Sequence, residues 1–105
     1  MLFPKKVNHK RKSPKQSLRG EFNRSLRKEI YERDNGLCRQ CGKQGSEIHH
    51  CKFRSSGGRG VLTNGVLLCN RCHVRVHRIK EEADKWRRIM EVNYGADYYK
   101  DEWDI

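Results

Sequence analysis

The chain has 105 residues, a net charge of +11 and only 34% hydrophobic residues. A chain of this length holds one domain at most and buries little core, so a metal or disulfides often stabilise such a domain. No stretch is apolar enough to span a membrane, and the initial "MLFPKK" lacks the apolar core of a signal peptide. We therefore expect the five cysteines to stay reduced. Metal binding then explains them better than disulfide formation does.

The positive charge is concentrated in the first 80 residues. Residues 1–33 carry a net charge of +8 and residues 34–80 a net charge of +7, whereas residues 81–105 carry −4. Such a regional basic excess favours a polyanionic partner, and nucleic acid is the commonest one. A merely solvated surface is the alternative.

Residues 1–20 contain seven Lys/Arg, no acid and both prolines of the chain. This composition predicts a disordered basic arm. A solubilising tail is the alternative, and in a eukaryotic protein "KKVNHKRK" would also fit a nuclear-import signal.

The first predicted helix covers residues 22–33. Phe22, Leu26 and Ile30 are four residues apart and form one apolar stripe. Asn23 is a candidate N-cap, and the turn-forming "DNG" at residues 34–36 ends the helix.

Further along, a cysteine-containing turn leads into a short strand at "EIHHCKF", residues 47–53. A basic glycine-rich loop, residues 54–60, separates it from a second apolar run at residues 61–69. From about residue 70 no Gly or Pro occurs before Gly95, so helix is expected, either as one long helix or as two. We expect the aromatic residues of "YGADYYKDEW" to pack on the core, although a contact surface is the alternative.

Two CxxC motifs give the strongest chemical signal. Each bends the chain so that two thiolates reach one ion, and together they predict a closed structural zinc site. The alternatives are reduced structural cysteines and a redox motif, which the absence of a thioredoxin-like βαβ pattern disfavours. The four predicted zinc ligands are Cys38, Cys41, Cys69 and Cys72.

The fifth cysteine, Cys51, follows the histidine pair at a position where a strand needs an apolar residue. Free cysteine behaves as a small hydrophobe. We therefore interpret Cys51 as a core residue, with a ligand or a reactive thiol as the alternative.

Four of the five histidines form two pairs. His49 and His50 are adjacent and point to opposite faces of an extended segment, so they are expected to do different work. His73 and His77 are one helical turn apart, which gives a two-ligand metal face or a coincidence of surface residues. If one imidazole of the first pair joins His73 and His77 on a metal, the other can act as a base beside it.

The motifs "CRQC", "IHHCKF" and "VLTNGVLLCNRCHVRVH", with the glycine-rich loop between them, resemble an HNH endonuclease of the ββα-metal (His-Me finger) type over residues 37–77. The resemblance implies that His50 is the general base and that His49 and His73 are ligands of a catalytic metal. His77 would be a further ligand, as in part of the family. Asn64 would brace the loop that carries the base.

In chemical terms, the resemblance implies that His50 deprotonates a water for in-line attack on a DNA phosphodiester. One divalent cation (Mg, Mn, Ni or Zn) would stabilise the crowded phosphate and the leaving 3′ oxygen, which gives 5′-phosphate ends. Small free-standing proteins of this kind occur in tailed phages, where they are often associated with genome packaging. The resemblance therefore implies phage packaging proteins as partners and the bacterial cytoplasm as the location.

Three cations near the motifs are candidates for binding DNA phosphates: Lys52, Arg54 and Arg59. For the two arginines a solvated loop charge is the alternative. Asn64-Gly65 could likewise be an ordinary turn.

These observations predict a small α+β zinc-stabilised domain with a ββα-metal, treble-clef-like core and flanking helices. Its parts are the arm at 1–20, a nuclease domain at 21–80, and a C-terminal helix with an acidic tail at 81–105. The predicted function is a metal-dependent DNA endonuclease of low sequence specificity. The alternative is a non-catalytic zinc-knuckle module that binds nucleic acid, and the set His49, His50, Asn64 and His73 favours the enzyme.

Overall fold

The computed structural model describes residues 14–104, and their elements are arranged as a small α+β fold. In chain order they are α1 (Gln16–Arg19), α2 (Arg24–Arg33), β1 (Glu47–His50), β2 (Gly65–Leu68), α3 (Asn70–Arg78) and α4 (Lys80–Tyr94). Two 3₁₀ turns, Arg54–Ser56 and Leu62–Asn64, lie between the strands. The predicted order of two strands followed by a helix is confirmed. Within residues 14–104, no helix is both long and apolar enough to cross a membrane.

The predicted arm needs a correction at its end. Residues 1–13 lie outside the described residues, but residues 16–19 form the helical turn α1. The Arg19 guanidinium donates to the carboxylates of Asp101 (2.7 Å) and Asp104 (2.9 Å). Because these acids come from the far end of the chain, the local composition of residues 1–20 gave no sign of the contact.

Helix α2 ends at Arg33 as predicted and begins at Arg24, two residues later than the predicted start at Phe22. The Asn23 side chain accepts a hydrogen bond from the Leu26 N–H at 2.8 Å, which identifies Asn23 as the N-cap. After α2, Asn35 and Gly36 adopt positive φ angles of 58° and 68°, conformations that asparagine and glycine tolerate best. The buried side of the helix carries Ile30, which is 0% exposed.

Strands β1 and β2 form a two-stranded antiparallel sheet, in which His49 lies opposite Val66 and His50 opposite Gly65. All four residues of β2 are buried. A Cβ at Gly65 would lie 2.6 Å from the Ile30 Cδ1 and 3.0 Å from the Phe22 ring, so a larger residue would have to displace these side chains. The register therefore places the two histidines of β1 on opposite faces of the sheet.

The helical region after residue 70 consists of two helices. The chain breaks at Ile79, whose backbone is extended (φ −111°, ψ 109°). A continuous helix would carry Trp86 and Met90 away from the core by 1.5 Å per residue. The break lets α4 pack beside α3, and Trp86 and Met90 are 3% and 0% exposed.

The core confirms two predictions about single residues. Cys51 is fully buried within it, and burial raises the pKa of its thiol to about 12, as expected of a core cysteine. Tyr98 also packs on the core, so at least one of the C-terminal aromatic residues has the expected packing role. The other buried members of this core are Cys38, Val66, Leu68, Cys72, Val76, Trp86 and Met90.

Candidate metal centres and active site

The four cysteines of the two CxxC motifs lie together. The sulfur atoms of Cys38, Cys41, Cys69 and Cys72 are all within 4.8 Å of one another. Within each motif the last cysteine donates its backbone N–H to the first sulfur at 3.4 Å. Cys69 is also the N-cap of α3, so the cluster holds the beginning of that helix.

The chemistry of this cluster fits a cation. Burial and the neighbouring thiols Cys69, Cys38 and Cys41 raise the pKa of Cys72. Burial acts in the same direction on Cys38, but backbone hydrogen bonds outweigh it and lower the pKa of that thiol to about 6. A tetrahedral zinc would supply the missing positive charge and keep all four thiols deprotonated. The four ligands close the coordination shell, which is typical of a structural site.

A second cluster consists of three histidines. The ligating atoms of His49, His73 and His77 also lie within 4.8 Å of one another, and the Nε2 atoms of His73 and His77 are 3.3 Å apart. Strand β1 supplies His49, and α3 supplies the other two from successive turns. The structure thus brings together all three histidines that the family resemblance implied as ligands.

His49 offers this cluster ring nitrogens that no other group uses among the described residues. The residue is 0% exposed, and among the residues that the structure describes neither of its ring nitrogens has a hydrogen-bond partner. A buried polar group without a partner costs about 1–3 kcal/mol. Burial, together with the charges of His73 and His77, lowers the pKa of His49 to about 3, so the ring is neutral, the form that ligates metals.

Glu47 is a residue of this site that the sequence interpretation missed. Its carboxylate accepts from the His73 Nδ1 at 2.6 Å and from the Asn70 side chain at 2.8 Å. The hydrogen bonds from Asn70 and His73 lower the pKa of Glu47. The first bond fixes the tautomer of His73 and turns its Nε2 towards His77. Glu47 is two residues before His49 on one face of β1, so strand periodicity could have revealed it.

His50 lies on the opposite face of the sheet from His49, as predicted. Its ring stacks on Phe22 with a centroid distance of 4.3 Å, and its Nε2 is 2.5 Å from the Gly20 carbonyl oxygen. A carbonyl can only accept, so Nε2 carries the proton and the neutral ring keeps its lone pair on Nδ1. Burial lowers the pKa of His50, with a further contribution from Arg54, so the neutral form dominates at pH 7.

Asn64 is fully buried and bridges both ends of the loop between the strands. Its Oδ1 accepts from the Lys52 N–H at 2.7 Å, and its Nδ2 donates to the carbonyls of Lys52 (3.2 Å) and Arg59 (2.9 Å). Asn64 lies in a 3₁₀ turn, so a turn is present, but the side chain also holds the loop that follows His50.

The three candidate DNA-binding cations have different surroundings. Arg54 borders the histidine cavity and is close enough to His50 to affect its pKa. The Lys52 ammonium lies 4.9 Å from the centre of the Tyr99 ring. Arg59 is the exception and requires a correction: it is buried, and its guanidinium makes two hydrogen bonds of 3.0 Å to Asp104. It is therefore neither a solvated loop charge nor directed at a substrate.

A cavity of about 490 Å³ lies beside His50 and the two α3 members of the histidine cluster, His73 and His77. Such a volume falls in the usual range for ligand sites. Both His50 and the two α3 histidines border it. The cavity is lined by Ile48, His50, Phe53, Arg54, Ser55, His73 and His77.

Comparison with known proteins agrees with this geometry. Residues 38–78 match the HNH endonuclease family model. A type IV methyl-directed restriction enzyme, EcoKMcrA of Escherichia coli strain K12, is 34% identical over 65 residues, which cover 52% of this chain. The match spans 24% of that enzyme's length, so the similarity concerns one part of it. In broad terms, both findings support a nuclease.

Proposed function

Since residues 38–78 match the HNH endonuclease family model, we propose that the chain hydrolyses phosphodiester bonds of DNA with one divalent cation and His50 as general base. The observation that carries this proposal is the group of three imidazoles, in which the buried His49 has no hydrogen-bond partner among the described residues. A metal ion bound by the cluster would give one of the His49 ring nitrogens the partner that it lacks and so offset part of the cost of burying it.

His49, His73 and His77 would hold the divalent cation, which would stabilise charge on the phosphate and on the leaving oxygen. Glu47 orients His73 for this role through its 2.6 Å hydrogen bond. Three neutral protein ligands leave open positions, as a catalytic metal site needs. The cysteine cluster would hold a separate, structural zinc.

His50 has the chemical state that a base requires. The Gly20 carbonyl fixes the proton on Nε2, so Nδ1 takes up the proton of the attacking water. Burial keeps the ring neutral at pH 7. Asn64 holds the loop that follows His50 through its contacts to Lys52 and Arg59, and so fixes the shape of the site.

DNA is the proposed substrate because of the family and the charge. The net charge of +11 favours a polyanion. The proposed phosphate contacts are Arg54, which lines the cavity, and Lys52, whose backbone N–H donates to the Asn64 side chain. Low sequence specificity stays a prediction from the lack of a recognisable sequence-reading module in the sequence. A role in phage genome packaging and a bacterial cytoplasmic location stay predictions from the family resemblance.

The test is a plasmid assay with the zinc-loaded full chain. Supercoiled DNA is incubated without added metal and then with magnesium, manganese or nickel. His50→Ala and His49→Ala are compared with His9→Ala, which removes the one histidine that belongs to neither pair. We expect metal-dependent nicking or linearisation by the wild type and by His9→Ala, and a loss of about 100-fold or more in the other two variants.

Two outcomes would contradict the proposal. Retained cleavage by His50→Ala would reject this base. DNA that is bound but uncut with every metal would favour the alternative, a zinc-knuckle module that binds nucleic acid without catalysis.

A further inference from the structure

Two segments outside the family-matched residues 38–78 meet beside the base. The Arg19 guanidinium makes two hydrogen bonds to Asp101, at 2.9 and 2.7 Å, and a third of 2.9 Å to Asp104. Asp104 also binds Arg59, and its carboxylate accepts from the Asp101 backbone N–H. We call Arg19, Asp101 and Asp104 the clasp.

The clasp lies one peptide bond from the group that orients His50. Gly20, whose carbonyl oxygen accepts from the His50 Nε2, directly follows Arg19. The Arg19 carbonyl in turn accepts from the Gly60 N–H at 2.8 Å. The backbone of residues 19 and 20 is therefore fixed from two sides, by the clasp and by the glycine-rich loop.

Local structure alone is too weak to hold Gly20 in place. Helix α1 has four residues, far fewer than a helix needs for stability by itself. The position of the Gly20 carbonyl therefore depends on tertiary contacts. The clasp supplies the charged ones, and its three side chains are largely shielded from water, with exposures of 12% for Arg19, 15% for Asp101 and 20% for Asp104.

We propose that Arg19, held by Asp101 and Asp104, is a positioning residue for His50: the C-terminal segment fixes the Gly20 carbonyl and thereby the orientation of the base. The catalytic part of this inference rests on the proposed nuclease function. The structural part does not, because it concerns the hydrogen bond between His50 and Gly20.

The first experiment measures that hydrogen bond directly. In the zinc-loaded full chain without other divalent metal, NMR follows the exchange of the His50 Nε2–H with water. We expect Arg19→Gln and Asp101→Asn to exchange this proton at least about tenfold faster than the wild type. Asp97→Asn is the matched control, since Asp97 makes an exposed ion pair with Lys100 in the same segment.

An internal control separates positioning from general loss of stability. The Trp86 Nε1–H donates to the Gln40 side chain at 2.8 Å, away from the clasp. We expect its exchange to be unchanged in the clasp variants. Equal exchange of the His50 proton in Arg19→Gln, Asp101→Asn and Asp97→Asn would overturn the proposal, and so would an equal acceleration of the Trp86 proton.

Kinetics supply the second readout. In Arg19→Gln and in Asp101→Asn we expect kcat to fall about tenfold with KM changed less than about twofold, because orientation acts on the reacting group. The double variant should be no slower than the slower single one, since both substitutions open the same clasp. A rise in KM alone would overturn the inference and make Arg19 a DNA contact. If the wild type cleaves no DNA, the nuclease proposal fails, while proton exchange still decides the structural part.

Discussion

Replacing Asn64 by alanine tests whether one buried amide holds the loop between the strands. Alanine would remove the acceptor of the Lys52 N–H and the donor for the carbonyls of Lys52 and Arg59. The bond to Arg59 is buried, and those to Lys52 are partly buried. A buried group left without a partner costs about 1–3 kcal/mol, so the combined loss should be about 2–4 kcal/mol.

The assay is thermal unfolding at one fixed zinc concentration, because bound metal itself shifts the midpoint. For a domain of this size a loss of about 2 kcal/mol lowers Tm by at least about 8 °C. Cleavage should also fall, since the loop follows His50. Asn93→Ala is the matched control, as Asn93 is exposed on α4. If Asn64→Ala and Asn93→Ala unfold within about 1 °C of each other, the bracing role is refuted.

Three further predictions concern the metal sites and the clasp. A strong chelator, or Cys41→Ser to a lesser degree, should unfold the domain in circular dichroism, because the cysteine cluster holds the start of α3. Glu47→Ala should weaken nickel binding by the histidine cluster about tenfold in a titration, since His73 loses its orienting acceptor. Asp101→Asn should lower Tm at pH 6, and the difference from the wild type should narrow as the pH falls below 3.8, the usual pKa of an aspartate.

The sign of the pH effect follows from the Arg19 contact, which lowers the pKa of Asp101 in the folded state. Such a group adds stability above its unfolded pKa and loses it as the pH falls through the folded pKa. A Tm difference that stays constant down to pH 3 would contradict this reasoning. A folded, metal-free chain would contradict the zinc prediction, and unchanged nickel affinity in Glu47→Ala would contradict the role of Glu47.

The parts of the site that obey local rules could be predicted from the sequence. The CxxC spacings predicted the cysteine cluster, and the i, i+4 spacing placed His73 and His77 on one face of a helix. Strand periodicity put His49 and His50 on opposite faces. The same rule places Glu47 with His49, although this was overlooked.

The contacts between distant segments could not be predicted. Arg59 meets Asp104, 45 residues away, and Arg19 meets Asp101, 82 residues away. No periodicity links such positions. The glycine-rich loop around Arg59 therefore predicts a DNA-binding or solvated charge, and the composition of residues 1–20 predicts a disordered arm. The break at Ile79 was equally hidden, because neither Gly nor Pro marks it and tertiary packing of α4 determines it.

Helix α3 links the two candidate metal centres, because it carries residues of both. Cys69 caps the helix, Cys72 lies in its first turn, and His73 is the next residue. The position of His73 therefore depends on how firmly the cysteines hold the start of the helix. We expect a newly made chain to bind a metal at the histidine cluster only weakly until the cysteine cluster is filled, so that zinc supply would control when the proposed second metal site becomes usable.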